Sequence, residues 1–121
     1  RALDVDAEVS FLKSSSYSGL TSSGKSKELI GLNTDISGRD VVILEDIIDT
    51  GNTVSDLIEQ FKEQNPKSIK TCTLLFKKEA FRANFKIDYQ GFEIPDKFVV
   101  GYGLDYDQKG RLLSDIYILS E

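Results

Sequence analysis

The chain has 121 residues, 40% of them hydrophobic, and its 20 acidic against 15 basic side chains give a net charge of −5. That length fits a single domain, and the acidic balance argues against nucleic acid as a partner. The absence of histidine excludes a His-based triad or a His-rich metal site. No apolar run is long enough to span a membrane, no secretory leader is expected, and the lone Cys72 cannot form an internal disulfide, in keeping with a cytoplasmic setting.

Residues 8–13 can form a strand, and residues 14–27, rich in Ser, Gly and Thr, read as a mobile loop. Residues 37–40 turn the chain into Val41-Val42-Ile43-Leu44. That run has no polar alternation, so it fits a strand covered on both faces, as in a parallel sheet. Glu45 and Asp46 follow directly. Burying them would be costly, which places them at the strand's carboxyl end, where ligands of open α/β sheets bind. Ile47 and Ile48 separate them from a third carboxylate, Asp49.

Thr50, Gly51, Asn52 and Thr53 can then turn the chain and present backbone N–H groups, with Gly51 allowing close approach of a ligand. A helix is predicted from near Thr53, with Val54, Leu57, Ile58 and Phe61 on one face, running to about Gln64 and ended by Asn65-Pro66. Its N-terminal N–H groups and dipole favour a phosphate. Residues 68–76 form the next strand, completing a right-handed crossover unit. Cys72 sits in its apolar pattern and reads as a buried structural thiol. Residues 77–86 are a polar connection, and further strands are expected near 89–92, 98–101 and 115–119. The reading is α/β, without internal repeats or an interdomain linker.

The acidic strand end, anion-cradling turn and helix suit a ligand that is both a sugar diol and a phosphate. Asp49-Thr50-Gly51 is also the aspartic-protease triplet, but that triplet lies in an all-β fold and here an amphipathic helix follows. Residues 41–46 also look like the acidic strand of a nucleoside triphosphatase, yet no Gly-x-x-x-x-Gly-Lys-Ser/Thr loop completes it. A plain solvated strand end would leave the spaced carboxylates unexplained.

Glu45-Asp46-Ile47-Ile48-Asp49-Thr50-Gly51 resembles the phosphoribosyl-pyrophosphate motif of type I phosphoribosyltransferases, in the version found in hypoxanthine-guanine phosphoribosyltransferases. Gly91-Phe92-Glu93-Ile94-Pro95-Asp96-Lys97-Phe98-Val99-Val100-Gly101-Tyr102-Gly103-Leu104-Asp105-Tyr106 is similar to the purine-binding stretch of the same family. Two long matches in order are far more specific than one. The resemblance runs from about Val9 to the C-terminus and implies a mostly parallel, twisted sheet with flanking helices. The family has an additional N-terminal region, which this chain is expected to lack, leaving one side of its sheet uncovered.

The resemblance implies transfer of a 5-phosphoribosyl group from its pyrophosphate to N9 of a 6-oxopurine, hypoxanthine or guanine, in purine salvage. Glu45 and Asp46 would accept hydrogen bonds from the ribose hydroxyls and favour positive charge on the sugar, with Mg²⁺ bridging hydroxyls and pyrophosphate. Asp49 would be the general acid/base near N7 of the purine. Asp49, Thr50, Gly51, Asn52 and Thr53 would hold the 5′-phosphate, although an ordinary helix cap fits the same residues. Lys77 would contact O6, Phe98 would stack on the base, and the Val99 carbonyl would meet the base edge. Asp105 would support a second metal through water and Arg111 would contact pyrophosphate, although residues 107–110 depart from the family pattern.

Ser16 and Tyr17, in the flexible loop at about 14–27, match the pair that enters the closed site as a lid, excluding water. Partners implied are phosphoribosyl pyrophosphate and a 6-oxopurine, with no nucleic acid and no membrane, in a homo-oligomer, a dimer or tetramer. Two other readings stand beside this one. One is a non-catalytic regulator that keeps the fold to sense nucleotide or phosphoribosyl pyrophosphate; the other is a chain inactive on its own. A uracil or orotate enzyme fits the base-binding stretch less well.

Overall fold

The computed structural model describes residues 3–14, 29–30 and 32–120. They fall into two compact units. One is built from the chain up to Ile43 together with Asn52–Lys70; the other comprises Leu44–Gly51 and Thr71–Glu121. The elements are β1 (Lys13–Ser14), β2 (Leu29–Ile30), β3 (Asp40–Ile48), α1 (Asn52–Lys62), β4 (Ser68–Phe76), β5 (Tyr89–Glu93), β6 (Val99–Val100) and β7 (Tyr117–Ile118). β3, β4 and β5 form a sheet in that order; β1 pairs with β2 and β6 with β7, each antiparallel.

In the first unit, Val54, Leu57, Ile58 and Phe61 of α1 are buried, as are Ile36 and Ile43. The helical spacing of those four residues gives a single apolar face, and burying each such side chain contributes about 1.5–3 kcal/mol. The helix closes two residues before the predicted Gln64. The Gln64 N–H donates to the Phe61 carbonyl at 3.0 Å and the Asn65 N–H to the Lys62 carbonyl at 3.1 Å, which tightens the last turn. Asn65 is left-handed at φ 54° and Pro66 cannot continue the helix. The Lys67 N–H then donates to the Arg39 carbonyl at 2.8 Å, starting β4 beside β3. Glu8, expected to open a strand over 8–13, instead pairs its carboxylate with Arg39 at 3.1 Å; strand pairing begins only at Lys13.

The expectation of a doubly covered β3 is corrected. Ile43 and Ile48 are buried, but Val42 and Leu44 are 54% and 67% exposed. Successive strand residues face opposite sides, so Val42 and Leu44 share a side with Ile48, and that side is open in the middle of the strand and closed at its end. Hydrophobicity alone could not distinguish a covered face from one left open.

In the second unit, the Lys77 N–H donates to the Ile48 carbonyl at 2.9 Å and the Ile94 N–H to the Phe76 carbonyl at 2.8 Å. With β3 and β4 starting side by side and ending side by side, those two strands run parallel. β4 and β5 are also parallel, with Cys72 opposite Tyr89 and Phe76 opposite Glu93. Asp88 locks this register: its N–H donates to the Thr71 carbonyl at 3.0 Å while its carboxylate accepts from the Thr71 N–H at 2.9 Å. Thr71, Thr73 and Leu75 are buried and Cys72, on the other side of β4, is only half-buried. The connection 77–86 is less polar in role than its composition implies. Phe81 packs edge-on against both Phe76 and Phe85, with ring centroids 5.2 Å apart in each case.

Candidate active site

Charged groups gather in the second unit where β3 and β4 end. Glu45 and Asp46 lie near the carboxyl end of β3, with Ile47 and Ile48 still to follow. Glu45 is half-buried and Asp46 exposed, as alternation along a strand requires. Burial pushes the Glu45 carboxyl above its ordinary value, and the neighbouring charge of Asp46 pushes it the same way. Asp46 Oδ1 accepts a hydrogen bond from the Ile47 N–H at 2.7 Å. Two adjacent carboxylates with one resisting ionisation favour hydroxyl donors or a cation.

Asp49 is the first residue beyond β3, and Lys77 the first beyond β4. Lys77 Nζ donates to Asp49 Oδ2 at 3.2 Å, with the lysine side chain only 8% exposed and the aspartate 51%. The lysine stem is buried and its ammonium is delivered to the strand ends. A second carboxylate, Asp96 Oδ1, lies 3.9 Å from the same nitrogen. Asp49 and Lys77 were assigned separately to N7 and O6 of one base, and the fold brings them into contact. Asp96 was passed over by the sequence reading; the signal available was that a buried ammonium needs counter-charge.

Gly51 is buried with φ +84°, a left-handed conformation that favours glycine. A Cβ there would lie 2.6 Å from Phe81 Cε2 and 3.0 Å from Ala83 Cβ. The side of Gly51 that a Cβ would occupy is thus filled by the Phe81 ring. The Arg82 N–H donates to the Thr50 carbonyl at 3.0 Å, so residues 81–83 brace the turn. Phe81 is the second residue that sequence reading missed. Asn52 and Thr53 open α1, where the first N–H groups have no partner within a helix.

Phe98 is 52% exposed and meets Tyr106 edge-on at 5.7 Å, so it is not a core residue. Val99 pairs with Ile118, and the Leu119 N–H donates to the Phe98 carbonyl at 2.8 Å. Alternation of hydrogen-bonded and non-hydrogen-bonded pairs turns the Val99 carbonyl away from β7. Asp105 and Arg111, given separate ligands above, form an ion pair at 3.1 Å. Arg111 also donates to the Gly103 carbonyl at 3.1 Å, and Asp105 accepts from the Gln108 N–H at 2.9 Å. The departure from the family pattern at 107–110 is a tight turn. Asp107 and Gln108 are both left-handed, at φ 48° and 64°, and Tyr106 and Lys109 exchange backbone hydrogen bonds at 2.9 Å. Ser16 and Tyr17 lie outside the described residues, with the rest of the expected lid beyond Ser14.

No group of three or more His, Cys, Asp or Glu able to hold a metal occurs among the described residues. The carboxylates of Glu45 and Asp46 are hard oxygen donors of the kind Mg²⁺ takes, and substrate oxygens would have to complete its octahedron. No helix among the described residues is long and apolar enough to cross a membrane.

A family model described as a phosphoribosyl transferase domain matches residues 1–107. The hypoxanthine-guanine phosphoribosyltransferase of Mycobacterium tuberculosis is 50% identical over 117 residues, which make up 96% of this chain and 58% of that protein. Among solved structures, a hypoxanthine-guanine phosphoribosyltransferase from Bacillus anthracis superposes with a TM-score of 0.82 at 36% identity, covering 98% of this chain and 70% of that one. A hypoxanthine phosphoribosyltransferase variant from Trypanosoma cruzi, complexed with the product IMP, gives a TM-score of 0.80 at 40% identity, covering 97% of this chain and 55% of that one. The chain therefore spans less than two thirds of the Mycobacterium protein.

Proposed function

This chain belongs to the phosphoribosyl transferase family and has its type I fold, and from that premise we propose that it transfers 5-phosphoribosyl from phosphoribosyl pyrophosphate to N9 of hypoxanthine or guanine, giving IMP or GMP and pyrophosphate in purine salvage. The observation that carries the reading is the contact between Asp49 and the buried Lys77 at 3.2 Å. One acid and one cation, fixed by neighbouring parallel strands, match the two edges of a 6-oxopurine, which offers an acceptor at O6 beside the nitrogen that handles its proton.

In this mechanism Glu45 and Asp46 hold the ribose hydroxyls and face the positive charge that develops as the bond to pyrophosphate breaks. Mg²⁺, held by those carboxylates together with substrate oxygens, would neutralise the leaving pyrophosphate. Thr50, Gly51, Asn52 and Thr53 hold the 5′-phosphate through backbone N–H groups and the start of α1. Phe98 stacks on the base and the Val99 carbonyl reads its edge. Lys77 donates to O6, and Asp49 takes or returns the proton at N7. Asp105 would support a second metal through water and Arg111 would contact pyrophosphate, side by side as an ion pair. Ser16 and Tyr17 would close over the reacting sugar. A homo-oligomer, dimer or tetramer, in the cytoplasm completes the proposal.

The test is nucleotide formation from phosphoribosyl pyrophosphate and Mg²⁺ with hypoxanthine, guanine, xanthine, adenine and uracil in parallel, using the native-length protein with this chain beside it. Product from the 6-oxopurines alone is the expected result. A native-length protein that binds phosphoribosyl pyrophosphate or nucleotide and makes no product would instead be a regulator.

A further inference from the structure

Lys77 raises a question that transfer chemistry alone leaves open. Its side chain is 8% exposed, and a buried ammonium without counter-charge is costly. In the structure its close partner is Asp49 at 3.2 Å. The proposed chemistry asks both groups to turn to the base, Lys77 to O6 and Asp49 to N7. If Asp49 were the sole counter-ion, every base that bound would have to break that ion pair.

Asp96 resolves the conflict. Its Oδ1 is 3.9 Å from Lys77 Nζ, and its side chain is 55% exposed. It lies between β5 and β6, while Asp49 lies just beyond β3, so the two carboxylates come from different segments. The segment carrying Asp96 is anchored at its start, where the Ile94 N–H donates to the Phe76 carbonyl at 2.8 Å beside Lys77 itself, and it turns tightly at Asp96, where the Lys97 N–H donates to the Pro95 carbonyl at 2.8 Å. Pro95 further restricts the backbone. We propose that Asp96 is a positioning residue for the base: it keeps a counter-charge on the Lys77 ammonium while Lys77 leaves Asp49 for O6, so that Asp49 is released to the purine nitrogen.

The proposal rests on the 6-oxopurine reading above and makes it more specific. With Asp96 present, the ammonium moves within a fixed field between two carboxylates. With Asp96 removed, it is drawn wholly to Asp49, and the incoming base must compete against an undivided ion pair.

The experiment compares the wild-type native-length protein with Asp96→Asn and Asp96→Glu. It measures kcat and KM separately for hypoxanthine and for phosphoribosyl pyrophosphate, with thermal unfolding of each variant as a check on folding. For Asp96→Asn, KM for hypoxanthine should rise about fivefold, in line with a partly solvated charge pair. KM for phosphoribosyl pyrophosphate should stay within about twofold. Asp96→Glu, which keeps the charge, should restore most of the loss. A merely structural role would lower stability and disturb both substrates alike, and that pattern overturns the proposal. So does an unchanged KM for hypoxanthine in a folded Asp96→Asn protein that still makes nucleotide, which leaves the transfer reading standing. A wild-type protein that makes no nucleotide removes the reading itself, and this proposal with it.

Discussion

Glu45 and Asp49 are four positions apart at the end of one strand, yet their surroundings are opposite. Glu45 is half-buried beside the charge of Asp46, and both effects resist its ionisation. Asp49 is half-exposed and already holds the ammonium of Lys77. The first carboxylate sits where positive charge has still to arrive with a ligand; the second has positive charge supplied by the fold. The difference teaches that two acids in one short motif can divide the work. On the proposed mechanism, one cluster would gain from ligand binding and the other would handle the base and its proton.

The strongest way to break that division is to remove the acid that is already paired. Asp49→Asn should lower turnover by about 10²–10⁴, the range for loss of a general acid or base, with KM for phosphoribosyl pyrophosphate nearly unchanged. Steady-state kinetics on both substrates checks it, and unchanged turnover would take Asp49 out of the chemistry. Removing its cation instead should alter selectivity. Lys77→Gln loses a charge-assisted hydrogen bond of about 1.5–3 kcal/mol, so the preference for hypoxanthine over adenine should fall about ten- to a hundredfold. An intact preference would refute the O6 contact.

The turn that follows Asp49 sharpens the comparison from the side of packing. Gly51→Ala places a Cβ 2.6 Å from the Phe81 ring at φ +84°. The cost should be about 1–3 kcal/mol, read from the midpoint of urea unfolding. In a Phe81→Ala background the same substitution should cost less by about 1 kcal/mol, because the ring clash is gone and the backbone strain and the tight Ala83 contact remain. Equal costs in both backgrounds would mean that Phe81 does not brace the turn.

How much of this was legible in the sequence depended on whether the signal was local. β4 falls on Ser68–Phe76 as read, and α1 begins and ends within two residues of its apolar pattern and its Asn65-Pro66 stop. The carboxylate spacing around Ile47 and Ile48 was equally visible. The contacts among the site residues were not. Asp96 reaches Lys77 from 19 positions away, a distance along the chain that no helical or strand period reports. The pairing of Asp105 with Arg111 depends on left-handed conformations at Asp107 and Gln108, where no glycine announces a turn. The exposure of Val42 and Leu44 was hidden for another reason. A run of aliphatic residues states what the strand would tolerate on each face, and what actually lies against each face is decided by the rest of the fold.

The smallest expected effect tests the unpaired side of the comparison. The folded pKa of Glu45 lies above its ordinary value of 4.5, so the folded chain binds this proton more tightly than the unfolded chain does. Stability then falls as pH rises through that window, because the slope follows the unfolded minus the folded proton count. Below 4.5 the side chain is neutral in both states and the penalty disappears. Glu45→Gln, which is neutral at every pH, should therefore unfold about one to two degrees higher than wild type at pH 7 without metal, after discounting for a partly solvated group. The two proteins should converge near pH 4. The same variant should bind phosphoribosyl pyrophosphate and Mg²⁺ more weakly, since the charge that burial disfavours is the one the ligand would use. Thermal scans at both pH values with a chelator present, followed by ligand titration, separate these effects. A Gln variant no more stable at pH 7 than wild type would show that Glu45 carries no such penalty, and the contrast with Asp49 would then rest on the Lys77 contact alone.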